Sequence, residues 1–190
     1  DVHHGSELFL GFLPRYIDLF PENLKARELI INVCKFIGNW DKETEDWYNY
    51  SQKNFNSWYL GIDGISDRDN YKFNTADHLR FVHIALLAWN ITSSQKYLDW
   101  SIDYSKQFAE RIIFAKEIIP VAWNCEWNEF FSKDMINPEE KFLASNHHHF
   151  KNDPLSGIEN LIASGFIYVF GEIYKITNDH IFLEASKKIW

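Results

Sequence analysis

Apolar positions gather in three long stretches that share one pattern: a helix apolar on nearly every side, a short polar turn, then a helix with a single apolar stripe. The first runs from about Glu7 through the turn Phe20-Pro21-Glu22-Asn23 to about Gly38. The second runs from Asp77 through Ile91-Thr92-Ser93-Ser94 to about Ile113, and the third from Gly157 through Ile176-Thr177-Asn178-Asp179 to Trp190. Leu79, Phe81, Val82, Ile84, Ala85, Leu86 and Leu87 make the leading helix of the second stretch apolar all round, which calls for burial on more than one side. In the following helices Ala26, Leu29, Ile30, Val33 and Ile37, or Tyr97, Trp100, Tyr104 and Phe108, recur at the spacing of one helical face. Tandem helical hairpins stack side by side. The pattern predicts an all-α fold: six main helices in three antiparallel hairpins, inner helices near 6–19, 76–90 and 157–175, and no strand pattern long enough to matter.

The connections between hairpins are long, from Asn39 to Asn74 and from about Phe114 to Ser156. Segments of that length in a compact domain are usually functional or disordered. Disorder does not fit here, because five of the eight tryptophans fall in them. If the inner helices are parallel, both connections and the N-terminal segment gather at one end, beside the helix N-termini with their free N–H groups and partial positive charge.

Composition narrows the picture further. At 190 residues, with 46% apolar and 17% aromatic content, the chain can bury one substantial core. It reads as a single domain over 1–190. A formal charge of −8 and only five arginines argue against nucleic acid and anionic membranes as partners. No apolar run reaches the length of a membrane span. Cys34 and Cys125 lack metal or redox spacing, which leaves the compartment open.

The hairpin turns Ile91-Thr92 to Tyr97-Leu98 and Ile176-Thr177 to Phe182-Leu183, with the aromatic segment Trp47-Tyr48 to Ser57-Trp58-Tyr59-Leu60-Gly61, give the chain a resemblance. It resembles the (α/α)-toroid carbohydrate-active enzymes: polysaccharide lyases, glycoside hydrolases and N-acylglucosamine-epimerase-like isomerases. That resemblance implies part of an (α/α)6-type toroid, about three of six hairpins. It also implies an oligo- or polysaccharide substrate, with the remainder of the toroid or a further copy of the chain as partner.

Three polar clusters map to the gathered end. They are Asp1, His3, His4 and Glu7; Asn74, Asp77, His78, Arg80 and His83; and His147, His148, His149, Asp153 and Glu159. Histidines and paired carboxylates take and give protons near neutral pH, as sugar chemistry requires. The expected catalytic residues are His78, Asp77, Arg80, His148 and Asp153. His4, Trp47, Tyr48, Trp58, Tyr59 and Trp127 are the expected substrate contacts, while Trp40 and Trp123 are expected to hold the loops onto the helices. A metal would use His3 or His4 with His78 or a loop histidine, but no ligand spacing supports one, and no cofactor is assigned.

Three readings compete. A lyase sets Arg80 against a uronate carboxylate with His78 moving the proton; a hydrolase uses two of Asp77, Asp153, Glu159 and Glu7; an epimerase favours a histidine pair. Cleavage of a saccharide chain, by lyase or hydrolase, is the leading expectation. The competing class is a non-catalytic helical-repeat domain that binds glycan or protein through its aromatic loops. It differs in having no concave, partly buried space shared by His78 and a carboxylate.

Overall fold

The computed structural model describes residues 2–131 and 154–189. Three helical hairpins form as their sequence pattern predicts. The first joins α2 (Leu13–Leu19) to α3 (Leu24–Ile37), the second α4 (Leu79–Thr92) to α5 (Gln95–Phe114), and the third α7 (Phe166–Thr177) to α8 (Ile181–Ile189). The second and third turns are alike atom by atom. Thr92 Oγ1 donates to the Ala88 carbonyl (2.7 Å) and accepts from Ser94 N–H (3.2 Å). Thr177 Oγ1 donates to the Ile173 carbonyl (2.8 Å) and accepts from Asp179 N–H (3.1 Å). Ser93 (φ 56°) and Asn178 (φ 55°) follow in the left-handed conformation that ends a helix. The first turn is capped differently: Asn23 Oδ1 accepts from Ala26 N–H, and its amide donates to the Tyr16 hydroxyl.

Helix α4 is the hub, packed against α1 (Val2–Gly11), α3, α5 and α7. Leu79, Val82, Ile84, Ala85, Leu86 and Ala88 are buried around its whole circumference. The core continues through Ile30, Cys34, Tyr104, Phe108, Phe170 and Phe182. No helix among the described residues is long and apolar enough to cross a membrane.

The all-α expectation, and with it the partial toroid, is corrected. The described residues are mixed, about 59% helical with 10% in strands that form three small antiparallel sheets. β1 (Tyr48–Asn49) pairs with β2 (Asn54–Phe55), and β3 (Leu60–Gly61) with β4 (Gly64–Ile65). β5 (Phe73–Thr75), β6 (Ala122–Asn124) and β7 (Glu129–Phe130) form the third sheet in that order. The long connections thus hold their own backbone hydrogen bonds, and β5–β6 ties the two connections to each other. Strands of two or three residues are too short for a period-two pattern to register, and side chains rather than periodicity fix them. Asn39 Nδ2 donates to the Tyr48 carbonyl while Asn39 Oδ1 accepts from Tyr48 N–H.

Two expected inner helices are also broken. Residues 6–19 divide at Phe12, ahead of Pro14, into α1 and α2. Residues 157–175 divide into α6 (Ser156–Ala163) and α7, because Gly165 takes φ +73°. That conformation favours glycine, and a Cβ there would also lie 2.8 Å from Leu10 Cδ1 and 3.0 Å from His83 Nε2. At Gly157 a Cβ would stand 2.0 Å from the Ile119 carbonyl oxygen. Gly157→Ala therefore forces backbone apart, and we expect a loss of about 3 kcal/mol, read as a lower urea midpoint at unchanged m-value.

Candidate functional site

The polar residues singled out around α4 come together. β5 leads through a 3₁₀ turn, Ala76–His78, directly into α4, so that Asn74, Asp77, His78 and Arg80 crowd one helix N-terminus. All four are buried. Asn74 imitates a strand: its Oδ1 accepts from Phe55 N–H (2.9 Å) and its Nδ2 donates to the Phe55 carbonyl (3.0 Å). His78 Nδ1 lies 3.1 Å from Thr75 N–H. The Thr75 carbonyl lies 3.2 Å from the same nitrogen, but Nε2 faces only the Ser57 carbonyl (3.3 Å), which can only accept; the neutral ring is therefore assigned its proton on Nε2, with Nδ1 accepting from Thr75 N–H. Arg80 lies 3.4 Å from Asp77 and reaches the Ala163 carbonyl at 3.2 Å, at the C-terminal end of α6 where the helix dipole favours a cation.

This knot is closed. His78 is fully buried, with the Phe55 ring 5.0 Å from its own and the Phe81 ring at 6.1 Å. Burial pushes its pKa down from the ordinary value to about 4, against the upward pull of the Ser57 carbonyl and Asp77. His83 is likewise lowered to about 4, by burial first and by Arg80, against the carbonyls of Ser164 and Gly165. Both rings are neutral at pH 7.

The expected substrate aromatics divide. Trp47, Tyr48 and Trp58 are core residues. Trp47 stacks on Phe36 (5.6 Å) and its indole N–H donates to the Gly61 carbonyl. Tyr48 meets Phe55, Trp100 and Tyr104 edge-on, and Trp58 stacks on Phe73 at 5.5 Å. Tyr59 is exposed beside Tyr71. Trp127 lies at the surface under the Arg111 guanidinium, 4.1 Å away, and its indole N–H donates to the Gln52 carbonyl. Trp123 is buried, as its loop-holding role requires. His148, Asp153 and the side chain of His4 lie outside the described residues. Cys34 and Cys125 are both free thiols, and no group of three metal-ligating side chains occurs among the described residues.

An open site lies elsewhere, along the outer face of α5. A groove of about 570 Å³ is walled by Trp40 and Tyr50 and floored by Trp100, with Lys96, Asp99, Asp103 and Lys106 along its length. Trp40 meets Tyr97 edge-on at 4.8 Å, and the Lys96 ammonium lies over both rings, 5.6 Å from Trp40 and 4.8 Å from Tyr97. Asp99 accepts from Gln95 (2.9 Å), Asp103 pairs with Lys53 (2.6 Å), and Lys106 pairs with Asp179 (3.0 Å). Tyr50 is half-exposed, and its hydroxyl donates to the Gly38 carbonyl. The signal for this groove stands in the sequence: Lys96, Asp99, Asp103 and Lys106 recur three and four apart, a charged stripe on one helical face. It reads as an ordinary solvated face until Trp40 and Tyr50 are seen to fold over it.

No protein-family model, no curated protein and no solved structure matches the chain. The arrangement of its own side chains therefore carries the functional argument.

The lowered His78 pKa has a definite sign in stability. Between about pH 4 and 6.5 the unfolded chain binds a proton at this ring that the folded chain refuses, so stability is full above that window and falls as pH drops through it. The loss from His78 is of the order of 3 kcal/mol. Urea unfolding at pH 7.0 and 4.5 is expected to show a smaller stability difference in His78→Gln than in the parent. Equal differences would place the proton-linked loss elsewhere.

Proposed function

We propose that this domain binds carbohydrate in the groove beside α5, as a recognition module. The observation that carries this reading is the pairing of an aromatic wall, Trp40 and Tyr50, with the charged stripe Lys96, Asp99, Asp103 and Lys106. A sugar ring has an apolar C–H face and a rim of hydroxyls. The face packs on an aromatic side chain; the rim needs donors and acceptors at the edge of that platform. Carboxylates of Asp99 and Asp103 accept from hydroxyls, and the ammonium groups of Lys96 and Lys106 donate. Each of these side chains is already held, by Gln95, Lys53, Asp179 or the rings beneath Lys96, so little ordering entropy is lost when a ligand arrives.

Binding is favoured over turnover for a physical reason. A general acid or base must reach the proton it moves. Both ring nitrogens of His78 are engaged by backbone, and its surroundings are apolar rings. Asp99 and Asp103, the carboxylates of the groove, lie open to solvent, which screens their charges.

Intrinsic tryptophan fluorescence, titrated with a panel of neutral and uronate-containing oligosaccharides, tests the proposal. At least one member is expected to bind with Kd of about 0.1–1 mM. Tyr50→Ala and Asp103→Asn are each expected to weaken it by about tenfold, at unchanged circular dichroism. Absence of binding across the panel, or affinity indifferent to Tyr50→Ala, would contradict it.

A further inference from the structure

Both walls of the α5 groove are anchored on one residue, Gly38. Asn39 takes φ 55°, and the Trp40 and Asp41 N–H groups both donate to the Lys35 carbonyl, at 2.8 and 3.0 Å. That turn lays the Trp40 indole across Gly38, where a Cβ would stand 2.4 Å from Trp40 Cζ2. The Tyr50 hydroxyl donates to the Gly38 carbonyl at 2.7 Å. The aromatic walls are therefore fixed before a ligand arrives.

Between these walls the charges are unevenly matched. Lys53 pairs with Asp103, and Asp179 pairs with Lys106. Lys96 stands apart. Its ammonium rests over the Trp40 and Tyr97 rings, which attract a cation without cancelling its charge. No carboxylate or carbonyl among the described residues pairs with it. Asp99, one turn further along α5, accepts from the neutral Gln95 amide and keeps its own charge. The groove thus has a direction, with an unmatched cation beside Trp40 and an unmatched carboxylate one turn on.

We infer that the ligand of this groove is an acidic saccharide, its anionic substituent held by Lys96 and its hydroxyl rim by Asp99. The inference rests on carbohydrate binding in the groove. A neutral sugar leaves the Lys96 charge unanswered, whereas an anion there adds a charge-assisted hydrogen bond. Asp99 repels that anion and accepts from hydroxyls, which sets the orientation of the ligand. An ammonium is a point charge with rotatable donors, so a carboxylate and a sulfate ester satisfy it alike.

Tryptophan fluorescence titrations with matched trisaccharides test this. The pairs are a galacturonate trimer with its methyl ester, and a sulfated galactose trimer with its unsulfated parent. At least one acidic form is expected to bind about fivefold more tightly than its neutral counterpart at about 20 mM salt, the advantage fading toward about 0.5 M. The pair that shows it tells carboxylate from sulfate. Lys96→Gln should abolish the advantage at unchanged circular dichroism. Lys25→Gln, at an exposed position near the start of α3, should keep it. Neutral forms that bind as tightly as acidic ones, or an advantage that survives Lys96→Gln, overturn the inference and leave carbohydrate recognition standing. Binding by none of the four contradicts carbohydrate recognition itself, and the inference with it.

Discussion

A helix that is apolar on every side must be surrounded, and surrounding α4 carries its N-terminus out of water along with it. The first N–H groups of a helix have no partners within it, and buried polar groups left unpaired are costly. The 3₁₀ turn ahead of α4 supplies the first partners, Leu79 N–H donating to the Ala76 and Asp77 carbonyls, and the side chains from Asn74 to Arg80 brace that turn. Asn74 docks the loop strand at Phe55, His78 ties Thr75 to Ser57, and Arg80 joins Asp77 to the end of α6. Three of these residues reach segments distant in sequence: Asn74 to Phe55, His78 to Ser57 and Arg80 to Ala163. The rest of the arrangement, loops folded over the helix ends and α6 placed before α7, depends on them.

A buried ion pair is weak evidence for stability, since removing two charges from water offsets most of their attraction. Its effect is selective. Arg80 Nη2 meets both Asp77 Oδ1 and the Ala163 carbonyl, and this ties the end of α6 to the start of α4. The same economy explains why histidine stands at position 78. A neutral imidazole offers one acceptor and one donor on opposite edges, which match the Thr75 N–H and the Ser57 carbonyl without burying a charge. With this end of the fold sealed, aromatic and charged side chains meet in the open on the outer face of α5 instead.

The hairpins were legible in the sequence because their signals are local. Helical periodicity, the Thr92 and Thr177 turns and the Asn23 cap each act within about one turn of helix. The helix breaks at Phe12 and Gly165 and the three small sheets were not legible. Pro14 and Gly165 are compatible with either a continued or a broken helix until Gly165 meets Leu10 and His83, and strands as short as Tyr48–Asn49 carry no period. At the site the residue types were legible and their exposure was not. Asp77, His78 and Arg80 are what a proton-transfer centre uses and equally what a sealed helix end uses. Trp47 and Trp58 stand among polar neighbours in sequence yet pack on Phe36 and Phe73, which come from other segments. Trp40, expected only to brace a loop, also walls the groove.

The central claim is that the Asn74–Arg80 knot is closed and opens only when the domain unfolds. Native-state hydrogen exchange at the Phe55 and Thr75 amides tests it most directly, since Asn74 Oδ1 and His78 Nδ1 accept from them. The account predicts that both exchange with the free energy and denaturant dependence of global unfolding, in step with the amides at the centre of α4. Exchange of either amide through a local opening, several kcal/mol below the global value and insensitive to denaturant, would contradict it and would return His78 to the surface as a reachable group.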